Sequence, residues 1–171
     1  LHQETLEFTR KKITCLTPFI VLAPSAAWEM KRWPVEHWKK LVTLLPNENF
    51  VILGGPKDTF CEDIAKMAPQ RVQNLSGKLT LIESCAVVQL GRLTISADTG
   101  LLHAADQLGK NAIALICPTA FGYPSRPSTK VLENTTLNCK PCTKDGRGRC
   151  TQKVYRRCMV EITPEEVAKN V

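Results

Sequence analysis

Short apolar segments recur along this chain, and each is followed by a segment with helical spacing. Phe19–Ala23 is apolar at every position, which is typical of a strand that helices cover on both faces. Similar runs predict strands at 50–53, 72–75, 93–97 and 112–116, with Val131-Leu132 as a candidate sixth. Because strands and helices alternate, we predict an α/β fold with a doubly wound parallel sheet.

Helices are predicted from apolar spacing and from their start signals. Pro34 suits the first position of one helix, and Thr80 with Glu83 forms a capping-box pattern at another. The predicted helices span 34–45, 59–67, 79–90, 100–108 and 164–171. Ligands of doubly wound sheets bind outside the carboxyl ends of the strands, so the loops that follow strands are the candidate sites.

Length and composition fit one domain with a buried core. The chain has 171 residues, of which 43% are hydrophobic and 23% charged, and no apolar run approaches the ~20 residues of a membrane span. We expect residues 1–18 to be an interdomain or linker segment and residues 19–171 to be the ligand-binding domain. Because the chain begins with Leu1, we interpret it as a piece of a longer protein.

The eight cysteines fall into two groups. Four are scattered and are predicted to be reduced core residues, which favours the cytoplasm: Cys15, Cys61, Cys85 and Cys117. Four follow the spacing Cys-x2-Cys-x7-Cys-x7-Cys: Cys139, Cys142, Cys150 and Cys158. These four could hold a structural zinc ion, form disulfides or remain free thiols.

Residues 139–158, the Cys-rich loop, also carry most of the net charge. This loop has seven basic residues and one acidic residue, in a chain of net charge +7. A local basic patch indicates an anionic partner. A solvated loop without a partner is the alternative.

The segment Asp98-Thr99-Gly100 lies between a predicted strand and a predicted helix. Thr99 and Gly100 place free backbone N–H groups at a positive helix end, where an anion can bind. Asp98 can accept hydrogen bonds from sugar hydroxyls beside that anion. The segment therefore predicts a nucleotide-sugar site, unless Asp98 or Thr99 simply caps the helix.

Two further loops follow strands at the same edge. The loop 24–34 combines small residues such as Ser25 with Lys31, a point charge suited to phosphate, although Lys31 could equally be a surface residue. In the second loop, Asp58 follows two glycines and could reach a ribose hydroxyl or cap the next helix. His103, one turn after Gly100, could contact a ligand or be a packed, hydrogen-bonded residue.

Five stretches together carry a resemblance to a known family: 28–38, 52–58, 75–81, 98–103 and 139–142. They resemble the C-terminal half of the ADP-heptose:lipopolysaccharide heptosyltransferases, glycosyltransferase family 9, and the resemblance runs from about Phe19 to Val167. It implies a GT-B fold, in which two Rossmann-like domains enclose a cleft and the C-terminal domain binds the nucleotide sugar. It also implies inverting transfer of heptose from ADP-heptose to the lipopolysaccharide inner core.

The resemblance implies roles for four central residues. Lys31 matches the lysine that contacts the donor phosphate near the bond that breaks. Thr99 and Gly100 match the backbone donors to the diphosphate, and Asp98 matches the acid that holds heptose hydroxyls. Lys31 and Asp98 are therefore the candidate catalytic residues.

The resemblance also assigns the rest of the donor site. Asp58 falls at or next to an acid that contacts the ribose, and Leu79 falls where the family lines its adenine pocket. His103 matches the histidine of the motif, with its role left open. Ser25 stands where the family usually has glycine, and Asp106 where it favours alanine.

The family carries its general base in an N-terminal domain, so we expect this chain to bind donor but to transfer nothing alone. No cofactor is expected to be required, since Lys31 and the helix end can stabilise a leaving diphosphate without a metal. The expected partners are ADP-heptose, the lipopolysaccharide core acceptor and the missing domain, without nucleic acid. The expected location is the cytoplasm, at the inner face of the inner membrane.

Two alternatives remain at this point. One is a GT-B enzyme that uses another nucleotide sugar. The other is a metal-braced basic module that binds a polyanion such as nucleic acid through the Cys-rich loop. That module assigns no function to Lys31 or to residues 98–100. In addition, Tyr155 is the one aromatic residue of the loop available for stacking on bases.

Overall fold

The computed structural model describes residues 1–15 and 17–171. The strands of its sheet are β1 (Phe19–Ala23), β2 (Asn49–Ile52), β3 (Val72–Asn74), β4 (Leu93–Ala97), β5 (Ala112–Leu115) and β6 (Thr129–Leu132). All neighbouring strands pair in parallel, in the order β3-β2-β1-β4-β5-β6. The predicted α/β, doubly wound fold is confirmed, including the candidate sixth strand.

Helices cover both faces of this sheet. They are α1 (Gln3–Arg10), α2 (Val35–Leu44), α3 (Phe60–Ala65), α4 (Leu81–Leu90), α5 (Gly100–Gln107), α6 (Arg157–Val160) and α7 (Pro164–Ala168). Ile20 and Leu22 of β1 belong to the same buried cluster as Trp38 of α2, whereas Val21 packs in a second cluster with Val87 of α4. Alternate side chains of a strand point to opposite faces, which explains why β1 is apolar throughout. Within the described residues, no helix is long and apolar enough to cross a bilayer.

The strand order reverses between β1 and β4. These two strands are neighbours, with Ala23 paired to Ser96, while β2 continues the sheet on one side and β5 on the other. The loops that begin after Ala23 and Ala97 therefore leave the sheet at the same edge. In doubly wound folds, the crevice at such a reversal binds the ligand.

Some predicted helix boundaries were wrong. Pro34 has an extended backbone (ψ 138°) and caps α2 rather than beginning it, and α7 ends at Ala168 instead of Val171. The short helix α6 was not predicted. The capping box at the start of α4 is confirmed, because Thr80 and Glu83 exchange hydrogen bonds between side chain and backbone.

The helix α1 was also not predicted, since its sequence is mixed in charge and only weakly apolar. It packs against α4, and Lys12 just beyond it places its Nζ atom 2.5 Å from Glu83 Oε1. This ion pair lowers the pKa of Glu83 to about 2, with help from the hydrogen bonds of Thr80. Part of the segment 1–18 is therefore folded against the domain, and its role as an interdomain linker stays a prediction.

Candidate functional site

A cavity of about 320 Å³ opens where the strand order reverses. The loops after β1 and β2 line it together with the starts of α4 and α5. Four predicted donor-binding residues lie around this cavity: Ser25, Leu79, Thr99 and Gly100. The fold thus gathers residues that are far apart in the sequence into one concave site.

The N-terminus of α5 forms one wall of this cavity. Thr99 is its N-cap, and Thr99 Oγ1 accepts a hydrogen bond from the backbone N–H of Leu102 at 3.4 Å. A Cβ atom at Gly100 would meet no heavy atom within 4 Å, so the first turn is open. Thr99 therefore caps the helix and still leaves the remaining N–H groups of the first turn free for an anion.

Beside this helix end, Asp98 gathers three side chains. Its carboxylate is buried (8% exposed), and Lys31 Nζ lies 2.8 Å from Asp98 Oδ2. His103 Nε2 lies 3.2 Å from Asp98 Oδ1. Thr119 Oγ1, which donates to the carbonyl oxygen of Phe121 at 2.9 Å, lies 3.4 Å from Asp98 Oδ2. The structure therefore joins Lys31, Asp98 and His103, which the sequence predicted separately, in one charged cluster next to Thr99.

Gly122 covers the Asp98 carboxylate and was missed by the sequence analysis. Its φ is +91°, and a Cβ atom there would lie 2.3 Å from Asp98 Oδ1. Any other residue would therefore combine a strained backbone with a clash against the charged cluster. The sequence shows a single glycine in the loop after β5. That glycine predicts a turn but does not indicate a contact with Asp98.

Asp58 contacts Gly55, which lines the cavity on the side of β2. Its Oδ2 accepts the backbone N–H of Gly55 at 2.6 Å, and its Oδ1 lies 3.6 Å from Arg32 Nη2. The N-cap of α3 is Thr59, without a side-chain cap bond, so the alternative in which Asp58 caps that helix is wrong. Its contact with a ribose stays a prediction.

The cysteines of the Cys-rich loop differ in their exposure to solvent. Cys142 is exposed, Cys139 and Cys150 are half-buried, and Cys158 is buried. Cys150 Sγ accepts the backbone N–H of Arg156 at 3.2 Å. Zinc ligands must meet at about 2.3 Å from the metal, and residues 1–15 and 17–171 hold no group of three or more Cys, His, Asp or Glu arranged for this. No disulfide joins the eight cysteines, all of which lie among the described residues, and the structural zinc ion stays a prediction.

Comparison with known proteins agrees with this geometry. The model of glycosyltransferase family 9 (heptosyltransferase) matches residues 1–153. Lipooligosaccharide heptosyltransferase 2 of Haemophilus influenzae is 28% identical over 95% of this chain and 49% of its own length. Lipopolysaccharide heptosyltransferase 2 of Salmonella typhimurium is 27% identical over 90% of this chain and 46% of its own length. The chain therefore spans about half the length of these relatives.

Solved structures show the same fold. ADP-heptose lipopolysaccharide heptosyltransferase II of Escherichia coli superposes with a TM-score of 0.79 at 22% identity, covering 99% of this chain and 50% of that one. The E. coli heptosyltransferase WaaC with ADP-2-deoxy-2-fluoro heptose gives a TM-score of 0.68 at 19% identity, covering 96% and 46%. Fold, motif order and family match agree: the chain belongs to glycosyltransferase family 9.

Proposed function

We propose that this chain is the donor-binding half of an inverting glycosyltransferase that transfers heptose from ADP-heptose to the lipopolysaccharide inner core. Membership of family 9 and similarity to proteins named heptosyltransferase 2 support this reaction. One observation carries the proposal: the open N-terminus of α5 lines the cavity where the strand order reverses, and the Lys31–Asp98 ion pair lies directly beside that helix end.

The chemistry of the cavity suits a nucleoside diphosphate sugar. The diphosphate would bind the free N–H groups of α5 and the ammonium of Lys31, since both attract anions. The base would lie against Leu79 and Leu81, two apolar cavity residues, of which Leu81 is 70% exposed. Asp98 would accept hydrogen bonds from the sugar hydroxyls.

Transfer breaks the bond between the anomeric carbon and the β-phosphate oxygen, while an acceptor hydroxyl attacks the opposite face and inverts the centre. Negative charge grows on the leaving diphosphate. Lys31 and the α5 N–H groups are already in place to stabilise that charge, so the scheme requires no cofactor. The proton of the acceptor hydroxyl passes to a general base, which we assign to the missing N-terminal domain.

This proposal also defines the partners and the location. The chain spans about half the length of its relatives, so a second domain would complete the cleft and bind the lipopolysaccharide core. Because that acceptor is anchored in lipid, we place the enzyme in the cytoplasm at the inner face of the inner membrane. The chain alone would bind donor without transferring heptose.

The charges of the Cys-rich loop argue against the polyanion-binding alternative. Several of its basic side chains are engaged within the domain. Lys140 pairs with Glu133, Arg147 Nη2 lies 2.6 Å from Asp145 Oδ2, and Arg157 Nε lies 2.5 Å from Glu161 Oε1. A loop whose charges are partly neutralised presents a weaker field to a polyanion than its sequence suggests.

Calorimetric titration of this chain with ADP, UDP and GDP tests the proposal. We expect ADP to bind most tightly and Lys31→Ala to weaken it about tenfold, because a charge-assisted contact to phosphate is lost. Lys40→Ala, which removes an exposed lysine of α2, should leave ADP affinity unchanged. Preference for UDP or GDP would favour a different nucleotide sugar, and no binding of any nucleotide would contradict the donor site.

A further inference from the structure

The Cys-rich loop packs directly against the segment that carries Lys31. Gly146 has a φ of +99°, and a Cβ atom at this position would lie 2.7 Å from Lys31 Cδ and 3.0 Å from Trp28 Cβ. The next residue, Arg147, places its guanidinium 5.2 Å from the centre of the Trp28 ring. The turn at Gly146 thus lies on the aliphatic stem of Lys31, where only a glycine leaves room.

Arg156 holds the backbone on both sides of Lys31. Its Nη1 atom donates to the carbonyl oxygen of Glu29 at 2.8 Å and to that of Arg32 at 2.9 Å. Residues Glu29–Lys31 form a single 3₁₀ turn, in which the backbone N–H of Arg32 donates to the carbonyl oxygen of Glu29 at 2.9 Å. A charged donor is therefore used to fix the ends of the short turn that presents Lys31.

The same loop also reaches the other half of the charged cluster. Thr143 forms a parallel bridge with Thr119, and Thr119 Oγ1 lies 3.4 Å from Asp98 Oδ2. Thr143 Oγ1 in turn accepts the backbone N–H of Gly146 at 3.2 Å. One continuous set of contacts therefore links Gly146 to both members of the Lys31–Asp98 pair.

We propose that Gly146 and Arg156 are positioning residues, which hold the Lys31 ammonium against Asp98 so that it meets the donor diphosphate. The part of this inference that concerns the diphosphate rests on the proposed function. The part that concerns the position of the Lys31 side chain does not. The inference assigns the Cys-rich loop a role within the domain. Neither residue touches the donor in this account.

Acylation of lysines in the free chain, followed by mass spectrometry, tests the position of Lys31 without any nucleotide. Lys31 has 14% of its side chain exposed and is ion-paired, so we expect slow modification in the wild type. Gly146→Ala and Arg156→Lys should raise its rate about fivefold relative to Lys39 in the same sample, as the ammonium leaves a shielded ion pair. An equal rise at Lys39, or no rise at Lys31, would overturn the proposal.

Two matched variants control for backbone strain and for charge. Gly148 also has a positive φ (+121°), but a Cβ atom there meets nothing within 4 Å, so Gly148→Ala adds strain without touching Lys31. Arg157 pairs with Glu161 instead of the 3₁₀ turn, which makes Arg157→Lys the control for Arg156→Lys. Both controls should leave the rate of Lys31 within about twofold of the wild type.

A double-mutant cycle on ADP affinity supplies the second readout. Arg156→Lys should weaken ADP binding about fivefold when Lys31 is present and less than about twofold in the Lys31→Ala background. Equal weakening in both backgrounds would mean that Arg156 acts on the nucleotide itself, and would overturn the positioning role. Failure of the wild type to bind ADP would refute the proposed function, while the acylation rates would still decide the position of Lys31.

Discussion

Replacing Lys31 by alanine in a full-length enzyme that carries this domain will lower kcat by about two orders of magnitude, the usual cost of losing one preorganised charge-stabilising group. The reason is that Lys31 is held 2.8 Å from Asp98, beside the open start of α5, where the proposed reaction would build charge on the leaving diphosphate. Initial rates of heptose transfer at saturating ADP-heptose measure this effect.

The expected kinetic pattern is specific. Loss of transition-state stabilisation lowers kcat as well as kcat/KM, whereas loss of ground-state binding alone raises KM. Lys40→Ala removes the same charge from the exposed face of α2 and should leave both constants unchanged. A Lys31→Ala enzyme with normal kcat would show that the ammonium plays no part in bond breaking.

Asp106→Ala will destabilise the domain by about 3 kcal/mol and lower its Tm by about 9 °C, because a buried carboxylate that satisfies several donors is lost. Asp106 is 2% exposed. Its Oδ2 accepts the backbone N–H and the hydroxyl of Ser125 at 3.0 and 2.8 Å, and its Oδ1 accepts the N–H of Arg126 at 3.0 Å. Denaturant unfolding followed by circular dichroism measures the loss, with the exposed Asp63→Ala as control.

The same side chain predicts a pH dependence. Burial alone would raise the pKa of Asp106, but the hydrogen bonds from Ser125, Arg126 and Thr129 outweigh burial and hold the pKa below its ordinary value. Its stabilising contribution is therefore complete above the unfolded pKa of about 3.9 and is lost as the pH falls through the lower, folded value. The stability gap between wild type and Asp106→Ala should be constant near neutrality and should narrow below about pH 4; a constant gap down to pH 2 would contradict this account.

Sequence patterns predicted the parts of this protein whose determinants are local. The all-apolar β1 reports burial on both faces, and the Thr80–Glu83 capping box is complete within four residues. The loops after β1 and β4 could be placed at one edge because parallel strands share the direction of their carboxyl ends. Lys31 and Asp98 lie in these two loops, so the sequence predicts that they are near each other. Only the structure shows that they form an ion pair.

The contacts that sequence reasoning missed join residues that lie apart along the chain. Arg156 reaches carbonyl groups 127 and 124 residues away, and Asp106 binds a loop about 20 residues later. Gly122 and Gly146 are needed because they pack against the side chains of Asp98 and Lys31. The residues next to each glycine in the sequence do not indicate these contacts. Helix α1 is likewise stabilised by its packing on α4, since its own apolar pattern is weak.

The cysteines show the limit of spacing as a guide. The spacing of the four clustered residues allowed zinc, disulfides or free thiols, because ligand convergence depends on the path of the intervening loop. In the structure, Gly146 and Arg156 of that loop contact the Lys31 segment, and the four thiols differ in exposure.

The most direct measurement is the titration of the ¹⁵N-labelled chain with ADP, followed by two-dimensional NMR. If the donor-site account is right, the largest shifts of backbone N–H signals fall at the start of α5 and in the loops around the 320 Å³ cavity, at Thr99, Gly100, Ser25 and Gly55. A separate cavity of about 410 Å³ lies near Cys15, Gln73 and Lys78, away from the Lys31–Asp98 cluster. Shifts concentrated there, or the absence of shifts at Thr99 and Gly100 under saturating ADP, would contradict the account.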